Sequence, residues 1–180
     1  FIYNELKSTN VVVPPKVAGV KDIQIEGAYV KDPQVGLHKW VCSFDLNSLY
    51  PHLMMQYNMS PETIVDQEIP DVTVDHLLDE DEYEFPEQYC MSGRGNLFRK
   101  DKRGIVPEII DKLYEERSLI KKEMLDVSQD KEQNTDASKH EMYVFDKQIN
   151  TLNNRQMAIK ILMNSLYGAM ANNYFRYYDQ

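Results

Sequence analysis

The fold of this chain is decided by a long helical stretch that carries, at residues 155–168, the sequence RQMAIKILMNSLYG. Apolar side chains recur there at helical spacing, which predicts a helix over residues 139–170 with one face in a core. Lys160, Asn164 and Tyr167 lie four and then three positions apart, so they share a different face of that helix. A cation, an amide and an aromatic ring in one line are more typical of a binding site than of a core.

A second long helix is predicted just before the first, from Pro107 to about Val127. A polar stretch at residues 128–138 separates the two helices, and helices joined in this way should pack antiparallel as a hairpin. The apolar stripe of the earlier helix consists of Ile109, Ile110, Leu113, Leu119, Ile120 and Met124.

Two cations share one face of the earlier helix, because Arg117 and Lys121 are four positions apart. In an antiparallel hairpin Lys160 can approach both of them. Three converging cations favour a polyanion such as a triphosphate. The alternative is a solvated helix face, which the nearby Glu115 and Glu116 would suit.

An aspartate stands where a predicted strand meets a predicted helix. The strand covers residues 40–44 and runs into Asp45, and Ser48 is the expected N-cap of a helix from Leu49 to about Tyr57. A carboxylate held there, next to free backbone amides, suits a divalent metal ion with a phosphate beside it. The alternative is that Asp45 merely caps the turn.

The net charge of −9 at first argues against a nucleic-acid partner, but its distribution changes that interpretation. Residues 62–87 contain eleven acidic side chains and no Lys or Arg, so the rest of the chain carries +2. Residues 147–180 carry +3. The acidic stretch itself is either a solvated loop or a metal site, and loops are the commoner case.

The composition, 42% hydrophobic and 27% charged, is that of a globular protein, and no run of about 18 apolar residues predicts a membrane span. Residues 1–38 are punctuated by proline and glycine, which is typical of loops. Cys42 and Cys90 are too few for a disulfide scaffold, which predicts a reducing, intracellular setting. The chain starts at Phe1 and ends at Gln180 behind an aromatic run, so we expect a piece of a longer protein.

Three blocks of the sequence resemble the DNA polymerases of family B, in the order in which that family has them. Residues 45–51, DLNSLYP, resemble the first polymerase motif, D-x-x-S-L-Y-P. Residues 155–168 are similar to the second, R-Q-x-A-x-K-x-x-x-N-S-x-Y-G, and residues 106–121 resemble the first helix of the fingers subdomain. Within the family, residues 58–64 and 174–179 look like those of the polymerases of T-even-type bacteriophages, and a phage-encoded enzyme would lie in the cytoplasm of its bacterial host.

The resemblance implies a role for each matching residue of the first block. Asp45, with the backbone carbonyl of Leu46, would bind catalytic Mg²⁺, of which the complete enzyme would hold two ions. Ser48 and the amides of Leu49 and Tyr50 would receive the β- and γ-phosphates. The Tyr50 ring would also lie under the sugar and exclude a 2′-hydroxyl.

The resemblance also assigns nucleotide contacts to the two helices. Arg117, Lys121 and Lys160 would neutralise the triphosphate. Asn164 would support the nucleotide or its phosphates, and Tyr167 would lie by the nascent base pair.

The implied fold is α+β, with short strands and a helix from a palm and a long antiparallel helical hairpin as the fingers. The palm portion would span residues 1–105 and include an acidic loop and hairpin insertion at 62–105. The turn of that hairpin is predicted at residues 92–95, SGRG, between two short strands. The fingers would span residues 106–171, and residues 172–180 would return to the palm.

The implied function is that of a DNA-directed DNA polymerase, which adds deoxynucleotides to a primer 3′ end by two-metal nucleotidyl transfer. Its partners would be primer–template DNA and deoxynucleoside triphosphates, with no membrane. The third motif, Y-G-D-T-D-S, and the thumb and exonuclease regions are absent. The chain alone is therefore predicted to be inactive and to need the remainder of the polymerase, in the same or another chain. Two alternatives are a non-enzymatic helical-hairpin interaction module and a metal-dependent nuclease that uses the acids at 79–87.

Overall fold

A computed structural model describes residues 2–8, 10–13, 15, 30–79, 82–170, 172 and 174–177. No helix within these residues has the length and apolar character that crossing a membrane requires. The elements, in chain order, are α1 (Ile2–Ser8), α2 (Leu49–Gln56), β1 (Ile64–Glu68), α3 (Val74–Leu78), β2 (Tyr89–Met91), β3 (Asn96–Arg99), α4 (Ile105–Gln133) and α5 (Lys139–Met170).

The two longest helices, α4 and α5, form the antiparallel hairpin that the sequence predicts. Their contacts pair rising residue numbers on one helix with falling numbers on the other. Glu116 binds Arg155 at 2.7 Å, and farther along Lys131 binds Asp146 at 2.6 Å. Apolar side chains fill the seam between the helices, and the buried ones are Ile109, Leu113, Ile120, Val127, Leu152, Ile159 and Met163.

The helix α4 is longer than predicted at both ends. It begins two residues before Pro107, which is tolerated because the first turn of a helix needs no amide donor there. It also continues six residues past Val127, through the polar residues 128–133. The apolar pattern ends at Val127, but the ion pair between Lys131 and Asp146 ties this last part of α4 to α5.

The helix α5 begins with a capping box. The amide and the hydroxyl of Ser138 both donate to the Glu141 carboxylate, at 2.8 and 2.6 Å, and the Glu141 amide donates to the Ser138 hydroxyl at 3.3 Å. The hydrogen bond from the Ser138 hydroxyl, and then the one from its amide, hold the pKa of the Glu141 carboxyl below its ordinary value. The start of α5 is therefore fixed locally, after a short link at residues 134–138.

Residues 62–99 contain a small antiparallel sheet with the strand order β1-β3-β2. The strands β2 and β3 form the predicted hairpin, and the Gly95 amide closes its turn by donating to the Ser92 carbonyl at 3.0 Å. Gly95 has a φ of +87°, and a Cβ there would collide with the carbonyl oxygen of Ile69. Only glycine fits this position, because it has no Cβ and adopts a positive φ at no steric cost.

A buried group of hydrogen bonds joins the end of α2 to the end of β3 and the start of α4. Asn58 is only 6% exposed, and its side-chain nitrogen donates to the carbonyl oxygens of Arg99 and Lys102 at 2.7 and 2.8 Å. Its side-chain oxygen accepts from the Gly104 amide at 2.8 Å. Asn58 has a φ of 53°, which asparagine adopts more readily than most residues. One side chain therefore holds three backbone groups of the segment 99–104 against the end of α2.

The strand predicted over residues 40–44 is not formed. Trp40 has a φ of 60°, which lies outside the extended region, and no strand of the described sheet pairs with this segment. The apolar side chains here are exposed, with Trp40 at 97% and Phe44 at 92%. Asp45 therefore follows an irregular segment, and the described strands all come from later in the chain.

Two smaller predictions are also corrected. The loop-rich start contains the helix α1, whose buried Ile2 and Leu6 pack into the core of the hairpin and whose Glu5 accepts from Lys112 at 2.6 Å. Leu119, expected in the apolar stripe of α4, is 68% exposed. The predicted fold class, α+β, is confirmed, since long helices pack beside a separate antiparallel sheet.

Replacing Asn58 with alanine is expected to lower the free energy of unfolding of the 180-residue chain by about 3 kcal/mol, because it removes three hydrogen bonds and leaves the buried Gly104 amide without a partner. Urea-induced unfolding followed by circular dichroism measures the change. The control is Asn150→Ala, since Asn150 is exposed on α5 and its side chain bonds to no described residue. The control should shift the free energy by less than about 0.5 kcal/mol. Equal effects of the two substitutions would contradict the role given to Asn58.

Candidate functional site

Two aromatic rings join residues 45–51, the Asp45 block, to the end of α5. The ring of Tyr50, in the first turn of α2, stacks on the ring of Tyr167 with their centroids 4.6 Å apart and an angle of 13° between their planes. Both side chains stay partly exposed, at 42% and 43%. The stack lies at the base of the hairpin, the end at which α4 begins and α5 ends. The fold therefore brings together two sequence blocks that are far apart along the chain.

The helix α2 starts behind a residue in the left-handed conformation. Ser48 has φ 53° and ψ 46° and is the N-cap, as predicted, but its hydroxyl donates to the Asn47 side chain at 3.4 Å and caps no helix amide. The Ser48 carbonyl accepts from the His52 amide at 3.1 Å, and His52 Nδ1 lies 2.9 Å from the same oxygen. The amides of Leu49 and Tyr50 belong to the first turn, where a helix offers them no partner. This end of α2 can therefore accept an anion.

The predicted metal ligands are exposed. Asp45 forms no hydrogen bond or ion pair with any residue that the structure describes, and Leu46 is 69% exposed. The described part of the chain contains no group of three or more His, Cys, Asp or Glu side chains that could hold a metal ion. Divalent ions such as Mg²⁺ and Ca²⁺ take about six or more oxygen ligands. Asp45 and Leu46 can therefore supply part of a metal site but do not complete one.

The arginine of the predicted site is held from the opposite helix. Arg117 Nε donates to Gln156 Oε1 at 3.2 Å, and Gln156 Nε2 donates to Asn153 Oδ1 at 2.9 Å. Gln156 is 6% exposed, whereas Arg117 is half-buried. The neighbouring acid, Glu116, binds Arg155 at 2.7 Å. It is therefore engaged elsewhere, and the terminal nitrogens of Arg117 have no partner among the described residues.

Lys121, Lys160 and Asn164 are exposed, and the side chain of none of them bonds to another residue in the described ranges. On α5, Asn164 and Lys160 lie about 5 and 10 Å along the helix from Tyr167. Arg117 contacts the next turn of α5, and Lys121 lies one turn of α4 farther from the base. The predicted residues therefore follow one another along the hairpin, starting at the stacked tyrosines.

The acidic stretch at residues 62–87 forms β1 and α3, so it is not one continuous loop. The carboxylate of Glu62 accepts from the Ile105 amide at 2.5 Å and thereby stabilises the N-terminus of α4. Glu80 and Asp81, at the centre of the stretch, lie outside the described residues. The acids that are described belong to no group that could hold a metal ion.

Sequence reasoning gave no role to Gln156 and named no packing partner for His52. Gln156 precedes Lys160 by four positions, so a signal was present, namely a polar side chain one turn before the line of predicted site residues that begins at Lys160. No such signal was present for the packing partner of His52. The His52 ring packs edge-on against Tyr114 of α4, with the centroids 5.0 Å apart, and this contact depends on how α2 lies against α4.

The stacked rings of Tyr50 and Tyr167 should be energetically coupled by about 1 kcal/mol, since aromatic pairs contribute about that much beyond the area they bury. A double-mutant cycle with Tyr50→Leu and Tyr167→Leu, followed by urea unfolding of the 180-residue chain, measures the coupling. Tyr143→Leu is the control partner for Tyr50→Leu, because Tyr143 is exposed elsewhere on α5 and its effect should be additive. Additive effects for the stacked pair would show that the rings do not stabilise one another.

Comparison with known proteins places this arrangement in a family. The family model for DNA polymerase family B matches residues 1–178. The DNA-directed DNA polymerase of Enterobacteria phage T4 is 31% identical over 217 residues, which cover 99% of this chain and 24% of the phage protein. That of Escherichia phage RB69 is 33% identical over 214 residues, with 99% and 23% covered. The chain therefore spans about a quarter of the length of these relatives.

The same family appears among relatives that match a smaller part of this chain and in the fold. DNA polymerase 1 of Pyrococcus abyssi is 35% identical over 143 residues, which cover 79% of this chain and 14% of that protein. The structure of the family B DNA polymerase from Pyrobaculum calidifontis matches with a TM-score of 0.62 at 23% identity, over 99% of this chain and 20% of that one. A likeness at that identity shows the fold, and the sequence matches show the descent. The resemblance drawn from the motifs is confirmed: this chain belongs to DNA polymerase family B.

Proposed function

We propose that this chain is the part of a DNA-directed DNA polymerase that binds the incoming deoxynucleoside triphosphate and supplies one catalytic carboxylate. The complete enzyme would add deoxynucleotides to a primer 3′ end on a DNA template by nucleotidyl transfer. The observation that carries the proposal is the stack of Tyr50 on Tyr167, which joins the Asp45 block to the residues that follow along the hairpin. Membership of family B supports the class of enzyme.

The phosphates would be bound by three cations of the hairpin. Lys121 and Lys160 are exposed and have no acidic partner among the described residues, and the acid next to Arg117 is engaged by another arginine. Donors that are charged and uncontested form the strongest hydrogen bonds to phosphate. The fork of Arg117 suits two oxygens at once, and the lysines act as mobile point charges. Asn164, on the turn next to Lys160, would support the nucleotide.

The Asp45 block would meet the triphosphate from the other side. The amides of Leu49 and Tyr50, together with Ser48, stand at the N-terminus of α2, where the helix dipole favours negative charge. This end would receive the β- and γ-phosphates. The Tyr50 ring would exclude a 2′-hydroxyl, and Tyr167, stacked on it, would lie by the nascent base pair.

Mg²⁺ is the proposed cofactor, with two ions in the complete enzyme. When bound, the ions supply charge stabilisation for the attacking and leaving oxygens of the transfer. This chain would contribute the Asp45 carboxylate and the carbonyl of Leu46. The remaining ligands would come from other parts of the polymerase, since the described residues do not complete the site.

The proposed subdomains follow the sequence interpretation. Residues 106–171 would be the fingers, residues 1–105 part of the palm with an insertion at 62–105, and residues 172–180 the return to the palm. Primer–template DNA and the remainder of the polymerase, with its third motif, thumb and exonuclease, would be the partners. A phage-encoded enzyme of this kind would work in the cytoplasm of its bacterial host.

The two alternative functions leave part of the arrangement without a purpose. A non-enzymatic helical hairpin would account for α4 and α5 but not for the Asp45 block stacked against their base. A nuclease that used the acids at 79–87 would not need the exposed cations on the hairpin. Binding of a deoxynucleoside triphosphate distinguishes the proposal from both, because the hairpin module should bind none and the nuclease should instead cleave DNA.

In the complete polymerase, Lys160→Ala is expected to lower kcat/KM for all four deoxynucleoside triphosphates alike, by about ten- to a hundredfold, because a charged hydrogen bond to phosphate contributes about 1.5–3 kcal/mol. Steady-state incorporation opposite each template base measures the loss. Lys147→Ala is the control, since Lys147 is also exposed on α5 but lies on another face and should have little effect. A loss that depends on the template base would contradict a phosphate role for Lys160.

The 180-residue chain alone is expected not to extend a primer. Two divalent ions held close together need more than one fixed carboxylate to balance their charge, and Asp45 is the one acid of the matched motif. A primer-extension assay with the purified chain and Mg²⁺ is the direct measurement. Template-dependent extension that disappears in Asp45→Ala would show that the second carboxylate lies within this chain.

A further inference from the structure

We propose that Gln156 is a positioning residue, which aims Arg117 at the triphosphate while leaving the charge of the arginine intact. The inference rests on the proposed function of the hairpin and adds a residue to which no role in the site has been given. Gln156 does not touch the nucleotide in this proposal. It acts through the guanidinium group that it holds.

The orientation of the Gln156 amide is defined by its two partners. Arg117 has only donors to offer, so the atom that faces its Nε at 3.2 Å must be the amide oxygen. The amide nitrogen then donates to Asn153 Oδ1 at 2.9 Å, one turn back on α5. With both ends bound and only 6% of the residue exposed, the amide is a fixed acceptor.

The bond to Nε holds the inner edge of the guanidinium group and leaves its far edge open. The two terminal nitrogens of Arg117 keep four N–H groups, and they have no partner in the described part of the chain. Because the acceptor is a neutral amide, the full positive charge also remains available. A fixed, charged, two-pronged donor of this kind suits the oxygens of a phosphate.

The adjacent pair across the same seam shows the contrasting arrangement. Glu116 and Arg155 lie one position before Arg117 and Gln156 on their respective helices, and they form an ion pair at 2.7 Å. There an arginine is neutralised by a carboxylate. A glutamate at position 156 would do the same to Arg117, so the neutral amide is what separates a structural arginine from one that is free to bind an anion.

The position of Gln156 in α5 indicates that its amide has a role beyond packing. Leu152 and Ile159, on either side of it, are buried in the apolar seam, and an apolar residue at 156 would simply continue that seam. Burying an amide there costs free energy unless its hydrogen bonds are made. Gln156 also precedes Lys160 by four positions, so it places the arginine beside the next cation of the site.

The test uses the ¹⁵N-labelled 180-residue chain with deoxyadenosine triphosphate at low ionic strength. We expect one arginine Nε–H resonance to exchange slowly with solvent and to be absent in Arg117→Ala, which assigns it. Gln156→Met should abolish the slow exchange and weaken binding of the nucleotide about fivefold, because an unheld side chain must be ordered on binding. Circular dichroism establishes that the variant keeps its helices.

A second variant separates positioning from packing. Gln156→Glu should retain the slowly exchanging resonance yet weaken binding more than Gln156→Met does, because its carboxylate neutralises Arg117. The control, Gln148→Met, changes an exposed glutamine of α5 and should alter neither readout.

Two results would overturn the inference, and only the second would also contradict part of the proposed function. If Gln156→Met binds the nucleotide as tightly as the unchanged chain while Arg117→Ala binds it weakly, the positioning role fails and the proposed function stands. If Arg117→Ala binds as tightly as the unchanged chain, Arg117 does not contact the phosphates. The positioning role then fails together with that part of the proposed function.

Discussion

The packing of α4 against α5 is the interaction on which the rest of the structure depends. Its buried seam fixes the register that sets Arg117 against Gln156 and Glu116 against Arg155. At the base, Val106 and Ile110 of α4 form a second buried cluster with Met54 of α2, and this cluster attaches the Asp45 block to the hairpin. Loss of the seam would therefore separate the motifs as well as the helices.

The helices were predictable because their signal is local and long. An apolar period sustained over several turns, with the Ser138 and Glu141 capping pair between the helices, specifies α5 without any knowledge of its neighbours. The strand predicted at residues 40–44 is not formed, because a strand depends on partners elsewhere in the chain. An apolar run predicts a strand only if another strand lies beside it, and the left-handed φ of Trp40 departs from that pattern. Leu119 is exposed because it lies about 100° round α4 from the buried Ile120, on a side that α5 does not cover.

In the candidate site too, some features could be predicted from the sequence and others depend on the folded structure. Spacing along α5 was enough to group Lys160, Asn164 and Tyr167, and the motifs singled out Asp45 and Tyr50. The stack of Tyr50 on Tyr167 and the contact of Arg117 with Gln156 join residues distant in sequence, so only the folded chain reveals them. A search for charged residues alone overlooks Gln156. Because its side chain is neutral, it can bind Arg117 without neutralising the positive charge.

The hairpin is attached to α2 at its base, so a small tilt there would produce a larger displacement at its outer end. α5 has 32 residues and is therefore about 48 Å long, and the ion pair between Lys131 and Asp146 joins the two helices near the outer end, so a tilt at the base would move them together. A tilt of about 10° at the base would move the outer end by about 8 Å. Arg117 lies about 18 Å along α4, so the same tilt would move it by only about 3 Å. A slight tilt at the stacked tyrosines would therefore move Arg117 by about the length of a hydrogen bond.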